Sequence, residues 1–150
     1  MFDIIKCTAD AKKFGFAKFY HANDAKKNIL DADNLENAVQ YKNKKILIML
    51  KDYSFDEGAV KVIAEKKKAC FLIDVSQIIK SNGVRRAILL AYLRTFLKVC
   101  IKHGAFYTFA SFANKEQEIR SPDELCNICM MLGLNRGQCE FALKMLQHYL

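Results

Sequence analysis

Hydrophobic positions along the chain fall into two periods that take turns. Short runs that are continuously apolar or alternate apolar with polar cover Phe2–Cys7, Gly15–Tyr20, Asn28–Asp31, Lys45–Leu50, Ala69–Val75 and Ala105–Ala110, and each is bounded by polar or turn residues, which predicts strands. Between them, apolar residues recur at three- and four-residue steps over Asn34–Tyr41, Asp56–Lys67, Val84–His103, Pro122–Leu132 and Arg136–Tyr149, which predicts helices. Ile46-Leu47-Ile48-Met49-Leu50 and Cys70-Phe71-Leu72-Ile73 are apolar on both faces, as strands of a parallel sheet must be when helices cover it. Repeated strand-helix alternation argues for parallel strands joined by right-handed crossovers. About six or seven strands are too few for a regular eight-unit barrel of roughly 250 residues. The expected architecture is therefore a single α/β domain over residues 1–150, TIM-barrel-like but trimmed or incomplete, with parallel strands and outer helices. An open doubly wound sheet is the alternative.

Two helix entrances carry cations. Ser121-Pro122-Asp123-Glu124 spells a capping box with proline in the first turn, so a helix starts there and Arg120 stands immediately upstream of it. In that position the guanidinium can share an anion, phosphate above all, with the first helix amides; otherwise it pairs with Glu116 or Glu118 on the surface. The stretch Lys80-Ser81-Asn82-Gly83-Val84-Arg85-Arg86 likewise places three cations around the entrance of the long helix. On that helix the apolar residues cover more than half the circumference, and the remaining strip carries Arg94, Lys98 and Lys102 at i, i+4 steps. If the basic turn lies at the C-terminal end of the strand Ala69–Val75, it is on the side where α/β folds place their ligands.

Charge sharpens this picture. The net charge is +8, with a pI near 9.2, and residues 76–150 carry more of the excess than residues 1–75. Such a balance suits a polyanionic partner. The composition, 52% hydrophobic and 27% charged, excludes a disordered tail, and no apolar run reaches the roughly 18 residues of a membrane span. The start, Met1-Phe2-Asp3-Ile4-Ile5-Lys6, does not read as a secretory signal, so an intracellular protein is expected.

Candidate chemistry is sparse. Six cysteines lie in apolar segments, and the single CxxC, Cys126 and Cys129, falls within a helix and reads as core. Three histidines (His21, His103, His148) show no ligand spacing, and no glycine-rich phosphate loop follows a strand. No catalytic residue, bound cofactor or resident metal is expected. The alternative is a small metal-dependent phosphoesterase in which Asp31, Asp52 and Asp74, all at strand ends, meet at one mouth.

The last eighty or so residues carry an ordered set of features: Cys70-Phe71-Leu72-Ile73-Asp74, Ile78-Ile79, Ser81-Asn82, Arg86-Ala87 opening the long helix with Leu89-Leu90, Phe109-Ala110-Ser111, then Glu118-Ile119-Arg120-Ser121-Pro122-Asp123-Glu124-Leu125 and Leu132-Gly133-Leu134. In this order they resemble the barrel-like protein subunit of archaeal and eukaryotic ribonuclease P, known as component 3 or the thirty-kilodalton subunit. Upstream the likeness thins to Asp33-Asn34-Leu35 and Lys45–Leu50; family members are usually longer, and Ser76 or Gln77 stands where the family turn often has an arginine. The family in turn resembles phosphoesterases of the polymerase-and-histidinol-phosphatase type.

The resemblance implies a noncatalytic subunit that binds and supports a catalytic RNA in 5′ maturation of precursor tRNA and, as in eukaryotic members of the family, is shared with a related rRNA-processing ribonuclease. Its implied partners are ribonuclease P RNA, precursor tRNA indirectly, a small RRM-like subunit and other ribonuclease P proteins, with no membrane. Mg2+ would act through the RNA. The implied location is nuclear or nucleolar in a eukaryote, toward which Glu118-Ile119-Arg120 and the cysteine content lean, and cytoplasmic in an archaeon. Arg86 and Arg120 are the expected phosphate contacts, widened by Arg85, Lys80, Arg94, Lys98 and Lys115. A third class is a scaffold that binds another protein through exposed apolar surface.

Overall fold

Each of the six expected segments contributes a strand in the computed structural model, which describes residues 1–54 and 56–150. The strands are β1 (Phe2–Ile5), β2 (Lys18–His21), β3 (Ile29–Ala32), β4 (Leu47–Leu50), β5 (Cys70–Asp74) and β6 (Phe106–Ala110). All pair in parallel: β3-β4-β5-β6 form one sheet and β1-β2 a second. The chain just past β6 joins them, because the Phe112 amide donates to the Ile4 carbonyl at 2.9 Å and the Lys6 amide donates to the Ala113 carbonyl at 2.8 Å. The strands thus follow one arc, β2-β1-β6-β5-β4-β3, with no pairing between β2 and β3 among the described residues.

That seam has a cause in chain length. A parallel neighbour needs a crossover of a dozen or more residues, and only residues 22–28 separate β2 from β3. They form α1 (Ala22–Ala25) and one 3-10 turn, Lys26–Asn28, with a combined rise of about 12 Å. The fold is a parallel α/β arc of six strands, a trimmed barrel opened at this connection.

The other helices are α2 (Leu35–Ala38), α3 (Glu57–Lys66), α4 (Val75–Lys80), α5 (Gly83–His103), α6 (Pro122–Met130) and α7 (Arg136–Met145). The expected start of α6 is fixed by its box: Ser121 Oγ accepts the Glu124 amide at 3.2 Å and Glu124 Oε2 accepts the Ser121 amide at 2.8 Å. Helix α5 ends on Gly104, left-handed at φ 70°. The short α4 differs from expectation. Asp74, read as the end of a strand, turns its carboxylate onto the Ser76 amide at 2.9 Å and caps a helix of six residues, too brief to show a period.

Strand side chains alternate between two apolar layers. Ile48, Phe71, Ile73 and Phe109 enter the larger core with Val60 and Ile63 of α3 and Phe96 and Leu97 of α5, where Phe71 and Phe96 meet edge-on at 5.0 Å. Leu47, Cys70, Leu72 and Ala110 face the other side with Ile4, Ala25, Phe112 and Leu146. Cys126 and Cys129 of α6 are buried in the larger core with Cys139 of α7. No helix among the described residues is long and apolar enough to cross a membrane.

Candidate functional site

The C-terminal ends of β5 and β6 form the mouth of the arc on the side of the expected basic turn. Asp74 opens α4 there, Ser111 follows β6, and the segment Glu118-Ile119-Arg120 leads into α6. Between α4 and this segment lies a cleft of about 100 Å³ lined by Ser76, Ile79, Lys80, Ser111, Glu118 and Arg120. Arg120 and Lys80, distant in sequence, are thereby brought to one site beside two hydroxyl-bearing serines. Arg120 is half-buried and makes no ion pair among the described residues. Its two expected surface partners are engaged elsewhere: Glu116 pairs with Lys13 at 2.8 Å, and Glu118 accepts the Asn114 amide at 2.8 Å. That amide bond, with Lys80 and Lys115 nearby, holds the Glu118 carboxyl below its ordinary pKa, whereas burial raises that of Asp74.

One detail of the expected anion site is corrected. Few of the first amides of α6 are left bare, since the capping box uses those of Ser121 and Glu124, Pro122 has none, and only that of Asp123 has no partner among the described residues. Lys80 and Arg120 side chains are the donors this cleft offers, and they can take one phosphate group between them.

The remaining expected contacts divide. The Arg86 guanidinium donates to the carbonyls of Ile78 at 3.1 Å and Ile79 at 2.9 Å, and Arg94 donates to the Met131 carbonyl at 2.8 Å. These carbonyls lie at the ends of α4 and α6, where no intrahelical donor remains. Both arginines therefore tie α5 to a neighbouring helix end, a task invisible to local spacing because the partners of Arg94 lie 37 residues away. Arg85, Lys98 and Lys115 are exposed without an ion pair among the described residues, while Lys102 of the same strip pairs with Glu57 at 2.6 Å. Arg86→Lys keeps the charge and removes the forked geometry, so we expect a loss of about 1 to 2 kcal/mol in urea unfolding. An unchanged midpoint would show that this cap contributes nothing.

Asp31, Asp52 and Asp74 are not brought together. β3 and β5 flank β4, which at about 4.8 Å per strand sets Asp31 and Asp74 about 10 Å apart across the sheet. Asp52 caps its own turn at the Ser54 amide, 3.0 Å. No group of three or more His, Cys, Asp or Glu able to hold a metal occurs among the described residues.

The sequence reading missed Asp3. It is fully buried, accepts from the amides of Ile4 at 2.8 Å and Ser111 at 2.7 Å, and from the Ser111 hydroxyl at 2.5 Å. Burial pushes its pKa up to about 6 against the pull of those donors. An acid inside the apolar run Phe2-Asp3-Ile4-Ile5 was the available signal.

Fold and mouth together define a parallel α/β protein of the trimmed-barrel class with a small cationic cleft at the C-terminal ends of its strands. No protein-family model matches the chain, and no curated protein matches it in sequence. Among solved structures it is similar to a chain in a cryo-EM structure of archaeal ribonuclease P with mature tRNA, at a TM-score of 0.57 and 13% identity, over 97% of this chain and 82% of that one. The two share a fold.

Proposed function

We propose that this chain is a protein subunit of a ribonuclease P-type ribonucleoprotein, without catalysis of its own, that supports a catalytic RNA in 5′ maturation of precursor tRNA. The fold shared over 97% of the chain with a component of such a complex carries this reading. The net charge of +8 and the free cations of the mouth agree with it, because arginine and lysine between packed RNA strands relieve phosphate repulsion. On this reading Mg2+ is held by the RNA, and the protein partners are a small RRM-like subunit and other proteins of the particle. Membership of a related rRNA-processing ribonuclease belongs to the same proposal. So does a nuclear or nucleolar location in a eukaryote, or a cytoplasmic one in an archaeon.

Sequencing the RNA that co-purifies with the native protein tests the reading: one abundant structured transcript with a ribonuclease P core is expected, and a featureless mixture would sink it. Within that complex, Arg120→Ala should weaken RNA binding and lower the salt slope by about one, the signature of a single lost phosphate contact. Unchanged slope and affinity would make Arg120 purely structural.

A further inference from the structure

We infer that the N-terminal end of the arc, opposite the mouth, is a binding face for a single-stranded RNA segment. This inference rests on the ribonucleoprotein reading and adds a second RNA-binding face to the mouth that holds Arg120. Because all six strands are parallel, every residue that immediately precedes a strand lies at the same end. The four residues before each of β3, β4 and β5 together hold seven lysines and no acid: Lys26 and Lys27, then Lys44 and Lys45, then Lys66, Lys67 and Lys68. The four residues after each of the same strands hold Asp33, Glu36 and Asp52 against Lys51 alone. Along β3, β4 and β5 the two ends thus differ in sign, so besides the cationic cleft at the mouth beyond β5 and β6 a phosphate backbone is drawn to the lysine end of these three strands. Ligands of α/β barrels ordinarily sit at the other end; the lysines add a polyanion site at the end that rule leaves out.

Three of these lysines, Lys45, Lys67 and Lys68, line a cleft of about 520 Å³ with Phe106, His148 and Tyr149, and no acid stands on its wall. Its rings are held in place. The Tyr149 hydroxyl donates to the Lys68 carbonyl at 2.9 Å, and Phe106 is fixed in β6. Lys45 Nζ lies 5.9 Å from the Tyr149 ring centroid, and Lys67 Nζ lies 5.6 Å from that of Phe106. Next in the chain, Leu150 lines a second groove at the open seam with Lys18, Tyr20, Lys27 and one acid, Asp24, and there Lys18 Nζ stands 4.7 Å from the Tyr20 ring. Ammonium groups interleaved with half-buried, immobilised aromatic rings suit a strand whose bases are free to stack while its phosphates meet lysines. A duplex hides its base faces and would leave the rings idle.

The test measures fluorescence anisotropy of a labelled oligouridylate and of an RNA duplex of equal length with the purified full chain, over a salt series. Oligouridylate should bind more tightly than duplex. Lys45→Ala with Lys68→Ala, both exposed, should weaken oligouridylate binding about fivefold to tenfold and lower the salt slope by about 1.4, at roughly 0.7 per phosphate of a single strand. Tyr149→Leu should weaken it about tenfold, and Tyr149→Phe, which keeps the ring but loses its tether to Lys68, should weaken it less. Lys12→Ala with Lys61→Ala, which removes the same charge elsewhere, should stay within about twofold of wild type. Thermal unfolding by circular dichroism confirms that each variant is folded. Equal affinity for duplex, or a Lys45/Lys68 variant indistinguishable from wild type, would overturn the inference. If the wild-type chain binds its co-purifying structured RNA but not oligouridylate, the inference falls and the subunit reading stands; if it binds neither, both fall.

Discussion

Asp3→Ala is expected to destabilise the chain by about 3 kcal/mol near pH 5, measured by urea unfolding, since three buried donors lose their acceptor at about 1 kcal/mol or more each. The donors are the amides of Ile4 and Ser111 and the Ser111 hydroxyl. The place matters as much as the count. Ser111 belongs to the segment after β6 that also carries backbone hydrogen bonds between the two sheets, Phe112 to Ile4 and Lys6 to Ala113. Asp3 sits on β1 and holds that segment in register, so its loss also loosens the mouth, where Ser111 lines the cleft with Arg120. The variant should therefore show a weakened response of RNA binding to Arg120→Ala. A stability loss under about 1 kcal/mol would mean that water or a shifted backbone satisfies these donors, and would remove Asp3 from the account of the junction.

The second large effect is the pH dependence of stability contributed by the same group. Burial raises the Asp3 pKa from 3.8 to about 6, opposed by its hydrogen bonds to Ser111 and Ile4 and reinforced by the charge of Asp74. Between these two values the folded chain holds a proton that the unfolded chain has released. Stability from this group is therefore greatest below about pH 4 and declines as pH rises toward and through about 6, by about 3 kcal/mol in all at 1.36 kcal/mol per unit. Asp3→Asn carries no charge and keeps an acceptor for the amides, so it should show no such decline. The difference between wild-type and Asp3→Asn unfolding free energies, followed from about pH 4 to 8, isolates this contribution from the exposed carboxylates. A flat difference curve would show that Asp3 titrates like an ordinary aspartate. Because ionised Asp3 is itself costly, the penalty of Asp3→Ala should shrink over the same interval.

The strands were legible because a sheet covered on both sides leaves no polar position in its central strands, and Leu47–Leu50 and Cys70–Ile73 spell this out. The helix starts were legible where side chains cap their own backbone, as at Ser121 and Glu124. Helix α4 was not, because six residues show no period and its cap, Asp74, doubles as the last residue of β5. The seam was readable in principle: residues 22–28 cannot make a crossover. Among the candidate contacts, Lys80 and Arg120 meet at one cleft, whereas Arg86 and Arg94 spend donors on helix-end carbonyls chosen by packing. The densest lysine face escaped attention because its members come from three separate loops of the first half of the chain. A window sliding along the sequence sees pairs and a triplet; only parallel strand order stacks them.

By itself the sequence determined what depends on neighbours along the chain: six short strands, capped helices, parallel alternation and a surplus of positive charge. The tertiary structure alone decided which distant groups share an environment. It set Asp3 against Ser111 across 108 residues, tied the Arg86 guanidinium to the carbonyls of Ile78 and Ile79 and gathered the lysines before β3, β4 and β5 at one end. The reason is physical. Hydrogen-bond satisfaction inside a core, and the summed field of charges at one end of a sheet, are set by distances in space that no local spacing of residues encodes.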